Sequence, residues 1–262
     1  MKINLNFKKA KAINAPYPII LINNFIKTKD CKKIFNEINS FSDFDDLVMS
    51  GRLRVNKGSN RFTNYLKKSP YLKSLYNQLN NHKAYLKMKT LLEKKSPKSM
   101  WTPDIKKAFF SKNSFGEQKF NLFSYIREKN FFSRFFQQRI NLDMDFSKSK
   151  KGYFRNAHRD RDSRIINFLI YLNTIKSTDG GQFGVFRVKK KKYRFKNLKR
   201  FPDLKKVKKI KSFPPKSGQL FVFLSSPNSY HGVTKFCSNK VDRVFTYGSY
   251  SMDRKVNWKI ND

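Results

Sequence analysis

Cysteine is nearly absent: Cys31 and Cys237 are the only two in 262 residues. They do not cluster, which excludes a disulfide framework and fits a reducing compartment. Histidine occurs three times, so any imidazole chemistry has few candidates. Acid is scarce, with 18 Asp+Glu against 58 Lys+Arg and a net charge of +40. No apolar run approaches the roughly 18 residues of a membrane span. The opening stretch MKINLNFKKAKAINAPYPII has no apolar h-region, and its lysines come too early for a signal peptide. A cytoplasmic protein without a membrane span is the expectation.

What is abundant is aromatic and cationic. Hydrophobic residues make up 39%, with 27 Phe, 12 Tyr and 2 Trp, which excludes global disorder. The surplus of positive charge points to an anionic partner such as nucleic acid, anionic lipid or an acidic polymer. The competing account is codon bias, because heavy use of Lys, Asn, Phe and Ile with little Gly is what an AT-rich genome imposes. Charge alone does not name a partner.

The chain changes character along its length. Ile19 to Ile22 is a short β-branched run that predicts a strand. Thr28 reads as an N-cap for a helix to about Ser40, with Ile34, Phe35 and Ile38 on one face. Ser69-Pro70 has the form of a cap followed by Pro at the first helical position. A further helix is expected from His82 to Glu93, whereas residues 41–61 look irregular and polar, a loop over a pocket. From about Phe131 the pattern turns to short strands: Gln137–Phe146, Arg164–Asn173, Gln182–Val188, Gln219–Leu224, Tyr230–Phe236 and Arg243–Tyr250. Turn-like clusters such as Thr178-Asp179-Gly180-Gly181 separate them, which argues for a sandwich or jelly roll. Two parts of one unit follow: a mostly helical support over 1–130 and a β core over 131–262. Between Lys189 and Lys211, 13 of 23 residues are Lys or Arg, with Asp203 the lone acid. This basic segment reads either as a solvated insertion or as an electropositive flap that steers an anionic substrate. Tyr193, Phe195 and Phe201 are interleaved in it.

Two of the histidines stand in a suggestive pattern. His158-Arg159-Asp160 places imidazole and carboxylate at i and i+2, on one face of an extended chain and roughly 7 Å apart at Cα. With a distal imidazole such as His231, this makes a 2-His-1-carboxylate set that leaves one side of an octahedral Fe(II) open. The motif alone is weak, and its surroundings add the specificity. Downstream come Arg164-Ile-Ile-Asn-Phe-Leu-Ile-Tyr171-Leu-Asn173, Gly180-Gly181-Gln182-Phe183, Pro215-Lys216-Ser217-Gly218-Gln219-Leu220, Tyr230-His231-Gly232-Val233 and then Arg243. The series resembles the prolyl-4-hydroxylase-like branch of the 2-oxoglutarate/Fe(II)-dependent oxygenases over about residues 135–252. The opening Pro16-Tyr17-Pro18 run with its following helix also looks like the N-terminal support of such proteins.

The resemblance implies an α+β chain whose core is a double-stranded β-helix, a jelly roll. His158, Asp160 and His231 would be the iron ligands, and Arg243 would pair with the distal carboxylate of 2-oxoglutarate. Lys240 is the rival for that role. Tyr171 and Asn167, which share parity on their strand, would face the cosubstrate, although a core role for Tyr171 stays open. The implied reaction consumes O2 and 2-oxoglutarate, releases succinate and CO2, and hydroxylates a C–H bond of a peptidyl or small-molecule substrate. Retention of Asp160 favours hydroxylation over halogenation. The alternatives are an oxygenase acting on nucleic acid or another polyanion, and a jelly-roll binding module without activity.

Overall fold

The computed structural model describes residues 5–14, 16–48, 51–96, 109–111, 139–189, 199–252, 256 and 258. The N-terminal elements are β1 (Lys11–Ile13), β2 (Ile19–Ile22), α1 (Thr28–Asn39), β3 (Asp46–Val48) and β4 (Arg52–Asn56). They are followed by α2 (Asn60–Lys68), α3 (Pro70–Leu79), α4 (His82–Glu93) and the two-residue β5 (Phe109–Phe110). Eight strands complete the order: β6 (Arg139–Ser149), β7 (Arg155–His158), β8 (Arg164–Tyr171), β9 (Phe183–Val188), β10 (Val207–Phe213), β11 (Leu220–Leu224), β12 (His231–Val233) and β13 (Arg243–Met252).

These last eight strands pass back and forth between two sheets, except that β9 and β10 form a hairpin within one of them. β6, β8, β11 and β13 join the large sheet in the order β11-β8-β13-β6, while β10-β9-β12-β7 form the small one. All pairings among the eight are antiparallel. Two four-stranded antiparallel sheets between which one chain crosses repeatedly are a jelly roll, the double-stranded β-helix expected from the sequence. The N-terminal part extends the large sheet at both ends. β1 and β2 add to β11, and the β3–β4 hairpin adds to β6.

The large sheet is buried on both faces, which explains why β8 reads as an almost unbroken apolar run. Its even-numbered residues Ile166, Phe168 and Ile170 pack with Ile34 of α1, Leu66 of α2, Leu72 and Leu75 of α3 and Met88 of α4. Leu169 and Tyr171 face the other way and meet Phe183 and Val185 of the small sheet, with Phe221, Phe223 and Phe245. Burying such a side chain is worth about 1.5–3 kcal/mol, so the helices fix the rear of the sheet and leave its front for chemistry.

The N-terminal details differ from expectation in three places. Thr28 is the first helical residue; Lys27 holds the cap position without a side-chain bond. Ser69 makes no capping bond ahead of Pro70. The first-turn amides of α3 are instead met by Glu37 of α1, which accepts from Tyr71 N at 3.0 Å and Leu72 N at 2.7 Å. The stretch 41–61 contains the β3–β4 hairpin and the start of α2, capped by Ser59 accepting from Phe62 N at 3.0 Å. β4 alternates Leu53 and Val55 with Arg52 and Arg54, a period-2 signal within a stretch read as irregular. Val55 is buried in the core, and Arg52 pairs with Asp145 at 2.6 Å. Within the basic segment, Val207–Lys211 belongs to β10, paired with β9. Tyr193 and Phe195 lie outside the described residues.

Candidate metal and cosubstrate site

The small sheet brings the two histidines together by register. His158 ends β7, His231 begins β12, and the two are direct cross-strand partners. Their ring centroids lie 4.5 Å apart. In each ring Nδ1 faces a carbonyl oxygen: Asn156 O at 2.9 Å for His158 and Ser229 O at 3.0 Å for His231. A carbonyl only accepts, so each Nδ1 carries the proton and each Nε2 keeps its lone pair. That is the tautomer a metal-binding imidazole requires. Burial, and then the neighbouring His231, push the His158 pKa down to about 3. Burial also lowers that of His231.

Asp160 joins them by a different route from strand parity. β7 stops at His158, so Asp160 lies beyond the strand and is oriented by side chains. Arg164 Nη1 donates to its Oδ1 at 3.1 Å, and the Tyr247 hydroxyl donates to Oδ2. The same Oδ2 lies 3.3 Å from His231 Nε2. Burial raises the carboxyl pKa, but the Arg164 guanidinium leads the groups that outweigh it, and the net direction is well below the ordinary range. Among the described residues, His158, Asp160 and His231 form a group whose ligand atoms all lie within 4.8 Å of one another. Two neutral imidazole nitrogens and one ionised carboxylate suit a first-row divalent metal with open positions.

Arg243 opens β13 on the front of the large sheet. It is fully buried, and its Nη2 donates to Tyr171 Oη at 3.1 Å. Its guanidinium carbon lies 4.2 Å from the Phe245 ring centroid and 5.0 Å from that of Tyr171. Among the described residues its Nε and Nη1 have no partner and no carboxylate pairs with it. A buried cation without a counter-charge is costly, so the position suits an anion. The hydroxyl of Ser149, the cross-strand partner of Arg243, is also buried and unpartnered. These groups fit an acidic ligand such as a dicarboxylate. Lys240 is exposed.

The Gly180-Gly181 pair protects this arrangement. Gly181 has φ +65°, and a Cβ there would lie 2.8 Å from Arg243 Cδ and 3.1 Å from Phe236. At Gly180 a Cβ would come within 1.9 Å of Lys235 O.

Asn167 shares the front face with Tyr171 but is not brought to Arg243. Register pairs it with Ser249 and Phe223, while Tyr171 pairs with Phe245. The four-residue offset puts it about 13 Å farther along the strand, with both amide atoms buried and unpartnered. His82 is exposed on α4. Sequence reasoning missed Tyr247 and the role of Arg164. Tyr247 shares the parity of Arg243 at i+4, a signal that was available on the strand. Phe201 was singled out only as a residue of the basic segment; its ring lies 5.7 Å from that of His158 at an interplanar angle of 16°.

Residues 144–248 match the family model of the 2OG-Fe(II) oxygenase superfamily. No curated protein matches the chain. Solved structures of similar shape include a prolyl-4-hydroxylase from Pseudomonas putida, at 15% identity and TM-score 0.44, with 89% of this chain and 91% of that one covered. HygX from Streptomyces hygroscopicus, with nickel and 2-oxoglutarate bound, is 12% identical at TM-score 0.47 and covers 92% and 85%. The viral collagen prolyl hydroxylase of Paramecium Bursaria Chlorella virus-1 is 11% identical at TM-score 0.42 and covers 90% and 96%. The matched segment spans β7 to β12 whole, the second half of β6 and the first part of β13, and contains every residue of the two clusters described above. Over residues 144–248 the chain is similar to the 2OG-Fe(II) oxygenase superfamily, and the three-ligand cluster lies within that stretch.

Proposed function

We propose that His158, Asp160 and His231 hold the iron and that Arg243, with Tyr171, receives the distal carboxylate of 2-oxoglutarate, for hydroxylation of a peptidyl, prolyl-type or small-molecule C–H bond. The observation that carries this reading is the pairing of a three-ligand cluster on the small sheet with a buried arginine on the large sheet that has no carboxylate partner among the described residues. When bound, the iron supplies the oxidative decarboxylation of 2-oxoglutarate by O2 that drives hydroxylation of the substrate.

The protein's part is geometry and electrostatics. The backbone carbonyls of Asn156 and Ser229 hold the imidazole protons on Nδ1 and aim both Nε2 lone pairs inward. Arg164 and Tyr247 fix the Asp160 carboxylate and keep it ionised. Phe183 and Phe223 pack against His231, with ring centroids 5.9 and 4.9 Å away, and exclude water from that side. Arg243 supplies a planar fork with two nitrogens to spare. Asn167 lies well away from Arg243, where its unpartnered amide can meet the substrate rather than the cosubstrate.

The ordered motif series supports the prolyl-4-hydroxylase-like branch, and no residue of the site selects proline. Among the described residues no helix is long and apolar enough to cross a membrane, and the two free cysteines, Cys31 and Cys237, support a reducing, cytoplasmic setting. The test is succinate release on admitting O2 to protein loaded with Fe(II) and 2-oxoglutarate. It should occur with wild type and vanish with His231→Ala. Iron binding that survives His231→Ala unchanged removes His231 from the ligand set.

A further inference from the structure

The C-terminal end of the basic segment returns to the rim of the metal site. Arg159 N donates to Arg200 O at 2.9 Å, and Arg200 Nε donates to Arg159 O at 3.1 Å. The Tyr230 hydroxyl donates to Lys199 O at 3.3 Å. These bonds clasp residues 199–201 to Arg159, which stands between His158 and Asp160, and to Tyr230, which precedes His231. Phe201 stacks on His158 while remaining 49% exposed. The guanidinium carbons of Arg155 and Arg200 lie 5.2 and 5.1 Å from the Phe201 ring centroid. Two cations thus sit on one phenyl ring that itself covers a metal-site histidine.

Nearby carboxylates are already engaged. Asp160 is held by Arg164 and Tyr247, Asp162 pairs with Arg159 at 2.6 Å, and Asp143 lies 3.3 Å from Arg164. Asp203, the acid of the basic segment, accepts from Lys205 N in its own turn. Among the described residues, none takes up the two terminal nitrogens of Arg200. Burial, and the like charges of Arg161, Arg164 and Arg155, push the pKa of Arg200 down against the pull of Asp160. An arginine merely solvated at the surface would not be half-buried and clasped in both directions to the residue between two candidate ligands.

We propose that the substrate presents an oxyanion, phosphate or carboxylate, to the free fork of Arg200, which thereby sets the reacting C–H bond beside the metal ligands; this rests on the reading of His158, Asp160 and His231 given above. A guanidinium with both Nη groups free takes either oxyanion in bidentate fashion. Arg200 then acts as a specificity determinant, and the exposed Lys205, Lys208 and Lys209 raise the local concentration of anionic substrates.

The test uses protein loaded with Zn(II) and 2-oxoglutarate, which fills the site without turnover. The probes are fluorescein-labelled Gly/Ser nonapeptides whose three central residues are phosphoserine, glutamate or serine, followed by anisotropy. One or both charged peptides should bind at least about tenfold tighter than the serine peptide, the scale of one charge-assisted hydrogen bond. The tighter of the two identifies the source of the oxyanion. Arg200→Ala should remove about tenfold or more of that affinity, and Arg200→Lys should restore part of it. Lys73→Ala, on α3 behind the large sheet, should change it less than about twofold. Equal losses from Arg200→Ala and Lys73→Ala, or a serine peptide that binds as well as the charged ones, would overturn the proposal. Iron binding by wild type and Arg200→Ala separates the two levels. If both bind iron and the charge preference is absent, only the oxyanion fails; if neither binds, the metal reading falls and takes the oxyanion with it.

Discussion

Replacing Arg243 by Met should separate ligand binding from folding. In the free protein its guanidinium is fully buried, with two unpartnered nitrogens. Each buried unsatisfied donor costs about 1–3 kcal/mol, while the bond to Tyr171 returns about 1.5–3 kcal/mol. The Tyr171 and Phe245 ring faces add about 0.5–2 kcal/mol each. These sums nearly cancel, so Arg243→Met should change the stability of the cosubstrate-free protein by no more than about 2 kcal/mol. Binding should respond differently. Two charge-assisted hydrogen bonds to a carboxylate, at about 1.5–3 kcal/mol each, correspond to a loss of roughly 10²- to 10⁴-fold in 2-oxoglutarate affinity. Thermal denaturation with Zn(II) present reads both effects. At a cosubstrate concentration about 100 times its Kd, wild type gains about 2.7 kcal/mol, or a Tm rise of about 5–10 °C for a chain of this size. The variant should gain less than about 2 °C, and Arg243→Lys should fall between the two. An Arg243→Met protein whose Tm still climbs as in wild type would refute the assignment. So would one that loses well over 4 kcal/mol without cosubstrate, because Arg243 would then be a structural cation.

Further outcomes follow from the same geometry. Tyr247→Phe removes the hydroxyl that orients Asp160 and should weaken metal affinity by about 10–100-fold, read by Co(II) titration in the visible range with the fold unchanged by circular dichroism. Gly181→Ala puts a Cβ against Arg243 and Phe236 at positive φ; it should lower Tm by several degrees and weaken 2-oxoglutarate binding in parallel. Glu37→Ala strips the first turn of α3 of its acceptor and should cost about 1–2 kcal/mol in urea denaturation with 2-oxoglutarate affinity intact. Arg52→Met leaves the buried Asp145 carboxylate unpaired and should cost about 3–5 kcal/mol.

The jelly roll and the three-ligand cluster were legible because they rest on short-range patterns. Turn residues separate the strands at regular intervals, and three histidines left little choice of partners. Tyr171 and Arg243 were legible as a pair of strand positions, while their contact depended on register. What stayed hidden depends on tertiary pairing. The alternation of Leu53 and Val55 in β4 was there to read, whereas the reception of Arg52 by Asp145 and Ser147 of β6 was not, because a single strand cannot reveal its neighbour. The α3 cap is supplied by Glu37 from another helix, so no local cap signature marks it. Tyr247 looked like one more aromatic in a Phe- and Tyr-rich chain until Asp160 arrived opposite it. The parity argument for His158 and Asp160 rests on an extended chain that the structure does not keep, since the strand ends between them and Arg164 with Tyr247 orients the carboxylate.

The most direct test of the account is anaerobic Fe(II) titration of wild type and His158→Ala, each with saturating 2-oxoglutarate, followed by succinate measurement on admitting oxygen. One iron per chain in wild type, with succinate formed, and neither in a folded His158→Ala protein, is the predicted result. Equal iron binding and equal succinate in both proteins would place the metal elsewhere and contradict the central assignment.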